Sequence, residues 1–138
     1  MKKSLLIPLL TPLLAQAAPR IATSDWTVAK TLTALGNPPI MLGNKCAYNI
    51  WVSHPKQPNT VADMGLRLQP NIEYLYRMQP EMFLQTPFYA SITPQLARIA
   101  PVHNIEIATA QGTTWAQTKP QAEKLIANTK KQFAAQKQ

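Results

Sequence analysis

At 138 residues, 46% of them hydrophobic and 14% charged, the chain is large enough for one compact domain and too short for two. Its single cysteine, Cys46, rules out an intramolecular disulfide, so stability must come from packing, and no His, Cys, Asp or Glu cluster has metal-ligand spacing. The net charge of +8 is scattered along the chain and then gathered as Lys119, Lys124, Lys130, Lys131 and Lys137 in one tail that also carries Glu123; this is the pattern of a solvated helix face and argues against a nucleic-acid partner.

Residues 1–17 have the three parts of a secretory signal peptide: the pair Lys2 and Lys3, an apolar run from Leu5 to Leu14, and the small-residue site Ala15-Gln16-Ala17. The run is too short to span a bilayer. The mature chain is therefore expected to begin near Ala18 and to be exported as a soluble, periplasmic protein, one domain over 18–138.

The first strand is predicted at Arg20 to Thr23, with Ser24 or Asp25 capping a helix from Trp26 to Leu35 and Gly36 closing it at the C′ position. Asn37-Pro38-Pro39 turns the chain into a strand at Ile40 to Leu42. Gly43 to Pro58 shows no clear period and reads as a long surface loop of the functional kind. A third strand follows at Thr60 to Asp63, and Gly65 turns the chain toward Pro70. Ile72, Leu75 and Tyr76 share one face of the next helix, which Pro80 closes. Glu81 to Gln85 is the fourth strand and Thr86 to Ile92 a loop. A helix capped by Ser91 or Thr93 runs through Ile99, Asn104 to Ala108 is the fifth strand, and Trp115 to Phe133 the last helix. Strands alternating with helices at this spacing predict an α/β fold with a parallel sheet covered on both faces.

In such sheets ligands sit beyond the carboxyl ends of the strands, which draws attention to Trp51, Arg67 and Tyr89. A guanidinium offers five fixed donors to clustered oxygens, a phenol both stacks and donates, and an indole supplies an apolar wall. Each has a plainer reading: Arg67 paired with Glu73 or Asp63, Tyr89 covering the core rim, Trp51 capping the sheet end. Cys46 reads as a small loop residue, and Ser53-His54 does not assemble a nucleophile with its base. A binding protein, not an enzyme, is expected.

The segments PRIATSDWTVAKTLTALGNPP, AYNIWVSHP, ADMGLRLQPNIEYLYRMQPE and LARIAP occur in order and together resemble the N-terminal lobe of the FhuD-type periplasmic iron(III)-hydroxamate siderophore-binding proteins, the substrate-binding proteins of ABC importers. The resemblance implies the three-layer, parallel-sheet N-lobe of a two-lobed, helix-linked protein, with the second lobe absent from a truncated chain. It implies that Arg67 and Tyr89 hydrogen-bond hydroxamate oxygens and that Trp51 lines the pocket. The ligand would be a ferric hydroxamate siderophore whose iron is already held by six oxygens, so neither a cofactor nor a protein metal ligand is needed, and the partner would be an inner-membrane ABC permease. Two places depart from the family pattern: the segment Thr93-Pro94-Gln95, near the start of the LARIAP helix, has no acid where one commonly meets the permease, and Lys30 stands where a carboxylate is common in the first helix. The alternative is a truncated, exported structural or interaction remnant with weak or no ligand binding, self-associating through the uncovered lobe face.

Overall fold

Short apolar runs bounded by Gly, Pro and Asn assemble into one parallel sheet. The computed structural model describes residues 18–106 together with Lys119, Pro120, Glu123, Lys124, Ile126, Ala127 and Lys131; the signal-peptide reading of residues 1–17 falls outside this range. In chain order the elements are β1 (Ile21–Thr23), α1 (Trp26–Ala34), β2 (Met41–Leu42), α2 (Lys45–Trp51), β3 (Ala62–Asp63), β4 (Gly65–Leu66), β5 (Gln69–Pro70), α3 (Ile72–Met78), β6 (Met82–Gln85), a 3-10 helix (Pro87–Ile92), α4 (Thr93–Leu96) and β7 (Val102–Asn104). The five-stranded sheet has the order β3-β2-β1-β6-β7, every pairing parallel, while β4 and β5 form a separate antiparallel hairpin.

The period-2 alternation of strand side chains divides the interior between the two faces of the sheet. Ile21, Met82 and Leu84 point to one side, where they meet Val28 and Leu32 of α1, Ile105 and Ile126. Ala22 and Phe83 point to the other, against Leu75 of α3, Tyr89, Ile92 and Leu96. A third cluster, Ala29, Leu42, Tyr48 and Val61, seats α2. Helices on both faces of a parallel sheet make the expected three-layer α/β fold.

Helix ends follow local chemistry. Asp25 caps α1 through Oδ1, which accepts from the amides of Thr27 (2.8 Å) and Val28 (3.1 Å). At the other end Gly36, at φ +77°, lets its own amide reach the Thr33 carbonyl and that of Asn37 reach Leu32, both characteristic of a Schellman closure. Asn71 caps α3 by accepting from the Tyr74 amide (2.9 Å), and Gln79 ends it in the left-handed region just before Pro80.

Four expectations need correction. The stretch Gly43 to Pro58 is not wholly loop, because α2 occupies its first half; Tyr48 is the one fully buried side chain of that helix, so burial on a single residue leaves no helical period to detect. The loop expected at Thr86 to Ile92 is wound into 3-10 helix, and the following α-helix ends at Leu96 instead of Ile99. On α3 only Leu75 is fully buried, whereas Ile72 is 36% and Tyr76 67% exposed, so the inward face is the one defined by Leu75. The fifth strand starts two residues early, at Val102, because it is the register Phe83 with Val102 and Gln85 with Asn104 that pairs it to β6; Ile107 and Ala108 lie outside the described residues. So do both ends of the expected last helix, although Lys119, Pro120, Glu123, Lys124, Ile126, Ala127 and Lys131 are all helical.

Candidate functional site

The sheet order places β1 between β2 and β6, so the chain leaves β1 into α1 on one face and leaves β6 into the 3-10 helix on the other. Divergent connections at adjacent strand ends open a crevice, the usual place for a ligand in an open α/β sheet. A cavity of about 490 Å³ lies there, lined from the α1 side by Asp25, Trp26, Thr27 and Lys30, and from the other side by Arg67, Phe88 and Tyr89, with Val52 completing it.

Arg67 occupies the two-residue turn of the β4–β5 hairpin. The hairpin is tied to the end of β2 by the Asn44 amide donating to the Gly65 carbonyl (2.7 Å) and the Met64 amide to that of Leu42 (3.0 Å), and its base is closed by the Asn71 amide donating to the Met64 carbonyl (2.8 Å). From this tip the guanidinium carbon lies 4.3 Å from the centroid of the Trp26 ring, a cation–π distance, and Nη1 donates to the Tyr89 hydroxyl at 3.2 Å. Trp26 is itself fixed: its indole N–H donates to the Gly43 carbonyl (2.8 Å), and its ring meets Tyr48 edge-on at 6.1 Å. Gly43 is required by close approach, since a Cβ there would stand 3.0 Å from Arg67 Cγ and 3.2 Å from the Cα atoms of Arg67 and Ser24.

Tyr89 interrupts the 3-10 helix at φ −98°, ψ 20°, in the sparsely allowed bridge region common at functional sites. Burial raises the Tyr89 phenol above its ordinary value and the Asp25 carboxylate adds to the effect, while Arg67 opposes it by charge and hydrogen bond. The hydroxyl thus stays protonated at neutral pH and accepts from Arg67. Phe88 stacks edge-on against Tyr89 at 5.1 Å and leaves 70% of its surface open.

Of the lining residues, Asp25 belongs to a polar cluster that joins the strand ends. Gln85 at the end of β6 accepts from the Ser24 amide (3.0 Å) and donates to the Ser24 hydroxyl (3.2 Å), joining the β6 and β1 strand ends. Asp25 Oδ2 accepts from the Thr86 hydroxyl at 2.7 Å, which joins the two departing chains. What results is a rigid donor pair, Arg67 and Tyr89, beside the aromatic surfaces of Trp26 and Phe88. Such a site can hold a bulky, oxygen-rich ligand without chemistry.

The sequence profile of the periplasmic binding protein family matches residues 21–134. The chain belongs to that family. Among curated members it is 39% identical to the iron(3+)-hydroxamate-binding protein FhuD of Escherichia coli K12 over 82 residues, 59% of this chain and 28% of that protein. It is 35% identical to the ferric-anguibactin-binding protein FatB of Vibrio anguillarum over 54 residues, 38% of this chain and 17% of that one. The chain therefore spans less than a third of either relative. Of solved structures, the siderophore-binding protein FhuD from Vibrio cholerae, bound to Fe3+-Desferal, superposes with a TM-score of 0.62 at 27% identity, covering 67% of this chain and 35% of that one. FhuD2 from Staphylococcus aureus with bound ferrioxamine B gives 0.62 at 17% identity over 86% of this chain and 43% of that one, a likeness of fold. The α/β architecture described above is thus that of a lobe of the family.

Of the three residues singled out from sequence, the fold brings Arg67 and Tyr89 into direct contact. Neither Asp63 nor Glu73 forms an ion pair with Arg67 among the described residues. Trp51 stands at the end of α2 rather than in a loop, 79% exposed and outside the cavity lining, next to Val52, which belongs to it. Sequence reasoning passed over Trp26, Lys30 and Phe88 as site residues and saw Asp25 only as a helix cap. The signal was present, because only Ser24 separates Asp25 and Trp26 from the end of β1, and the strand-end rule that selected Arg67 applies equally there.

Proposed function

We propose that the protein binds ferric hydroxamate siderophores in the periplasm and presents them to an inner-membrane ABC permease for iron uptake. The observation that carries this reading is the Arg67–Tyr89 pair, held over Trp26 at the carboxyl ends of the strands. In a hydroxamate chelate the iron is saturated by its own oxygens, so a host needs donors for the outward lone pairs and aromatic surface for the linker carbons. Both are present side by side. The similarity to FhuD of Escherichia coli, a hydroxamate-binding protein by name, supports the ligand class. The exported location rests on the leader-like residues 1–17 and on the family.

The test is intrinsic tryptophan fluorescence, for which Trp26 is a built-in reporter, titrated with ferrichrome and ferrioxamine B. Saturable quenching is expected, weakened about tenfold or more in Arg67→Ala, since a hydrogen bond from a charged donor contributes about 1.5–3 kcal/mol. Tyr89→Phe should weaken it less. No saturable response up to millimolar ligand would sink the reading.

A second reading is favoured by the exposure of Phe88 and Trp51 at 70% and 79%: an exported interaction domain with weak or no ligand binding, associating through this apolar surface. It predicts no saturation in the same titration and concentration-dependent sedimentation that Trp51→Ser with Phe88→Ser abolishes.

A further inference from the structure

We propose that the cavity prefers chelates carrying a pendant carboxylate over neutral or cationic ones, with Lys30 as the specificity-determining residue; this rests on the hydroxamate reading above. Three charged side chains line the cavity: Asp25, Lys30 and Arg67. The negative one is already committed. Asp25 is 9% exposed, its Oδ1 accepts from the Thr27 and Val28 amides, and its Oδ2 accepts from the Thr86 hydroxyl. It also sits at the N-terminus of nine-residue α1, whose dipole offsets its charge.

The two cations have no such compensation. Among the described residues neither Arg67 nor Lys30 forms an ion pair, and the contacts of Arg67 are neutral: a phenol oxygen and an indole face. Lys30 lies one turn beyond Trp26, so both project from the same side of α1 into the cavity. Lys30 is exposed and has no side-chain hydrogen-bond partner among the described residues. The wall facing the ligand is therefore net positive.

The iron centre of a tris-hydroxamate is neutral, so its oxygens can occupy Arg67 and Tyr89 and still leave Lys30 unmatched. A carboxylate on the ligand's periphery supplies the missing charge, and a flexible ammonium can reach it without demanding fixed geometry. A pendant ammonium, as in ferrioxamine B, meets repulsion instead.

The experiment compares ferrioxamine B with its N-succinyl derivative, in which a carboxylate replaces the ammonium, by tryptophan fluorescence on the full chain. The succinyl form should bind about tenfold more tightly at low ionic strength, with the difference shrinking as salt screens it. Lys30→Gln should remove most of the preference and Lys30→Glu reverse it, with the thermal midpoint unchanged. Equal affinities in the unaltered protein, or a preference surviving in Lys30→Glu, would overturn the charge selection while Arg67-dependent binding left the hydroxamate reading standing. Saturation by neither probe overturns both.

Discussion

A methyl group on Gly43 would press on Arg67 Cγ at 3.0 Å and on two backbone Cα atoms at 3.2 Å. The side chain can yield, but the Ser24 turn and the hairpin backbone cannot both do so cheaply. Gly43→Ala is expected to cost about 1–3 kcal/mol, read as a lower urea midpoint, and to displace Arg67 enough to weaken the proposed siderophore binding along with it. Titration provides a second check at this scale. Burial raises the phenols of Tyr48 and Tyr89 above their ordinary 10.0. Above that pH the unfolded chain releases protons that the folded one retains. Stability is thus fully present below about pH 10 and is lost as pH climbs through the folded-state values. Urea midpoints should fall between about pH 9 and about pH 11, and Tyr89→Phe should flatten part of that decline. Arg67 and Tyr89 were legible as candidates because they follow strands in recognisable turns. Their contact was not, since it joins residues 22 apart in sequence, and Trp26 looked like the first apolar residue of a helix, which it also is.

At the level of elements, Gln85 connects β6 to the β1–α1 turn. It is fully buried, and its amide satisfies both the backbone N–H and the hydroxyl of Ser24. Gln85→Leu strands that N–H away from water and should destabilise the fold by about 1–3 kcal/mol, visible in thermal unfolding. Gln85→Glu offers a control that keeps an acceptor for the Ser24 amide. Elements with strong local signals were readable: α1 between its aspartate cap and Gly36, α3 ahead of its closure at Pro80, and the strands Ile21–Thr23 and Met82–Gln85. Those that escaped lack such signals. Helix α2 starts from Asn44 in the left-handed region with no side-chain cap bond, and the hairpin strands β4 and β5 have two residues each, too few for alternation to register.

For the molecule as a whole, the two faces of the sheet must both be covered, and on the α1 side Ile126 of the C-terminal helical segment does part of that, packed with Val28, Leu32 and Leu84 at 9% exposure. Ile126→Ala should therefore cost about 2–4 kcal/mol, the usual range for a truncated core aliphatic, whereas Ile72→Ala, at 36% exposure on α3, should stay below about 1 kcal/mol. Chemical denaturation of the two variants side by side tests whether that segment closes the core. Apolar runs, caps, prolines and glycines by themselves determined the α/β class, the order of most elements and a strand-end arginine and tyrosine, because each depends on neighbours within a turn or two. Only the tertiary structure decided that Trp26 is the indole beneath Arg67, that Asp25 is spent on Thr86 and its own helix, and that Lys30 lines the cavity with no ion-pair partner among the described residues. Those facts depend on which strand ends the sheet order sets side by side, a long-range choice no local pattern encodes.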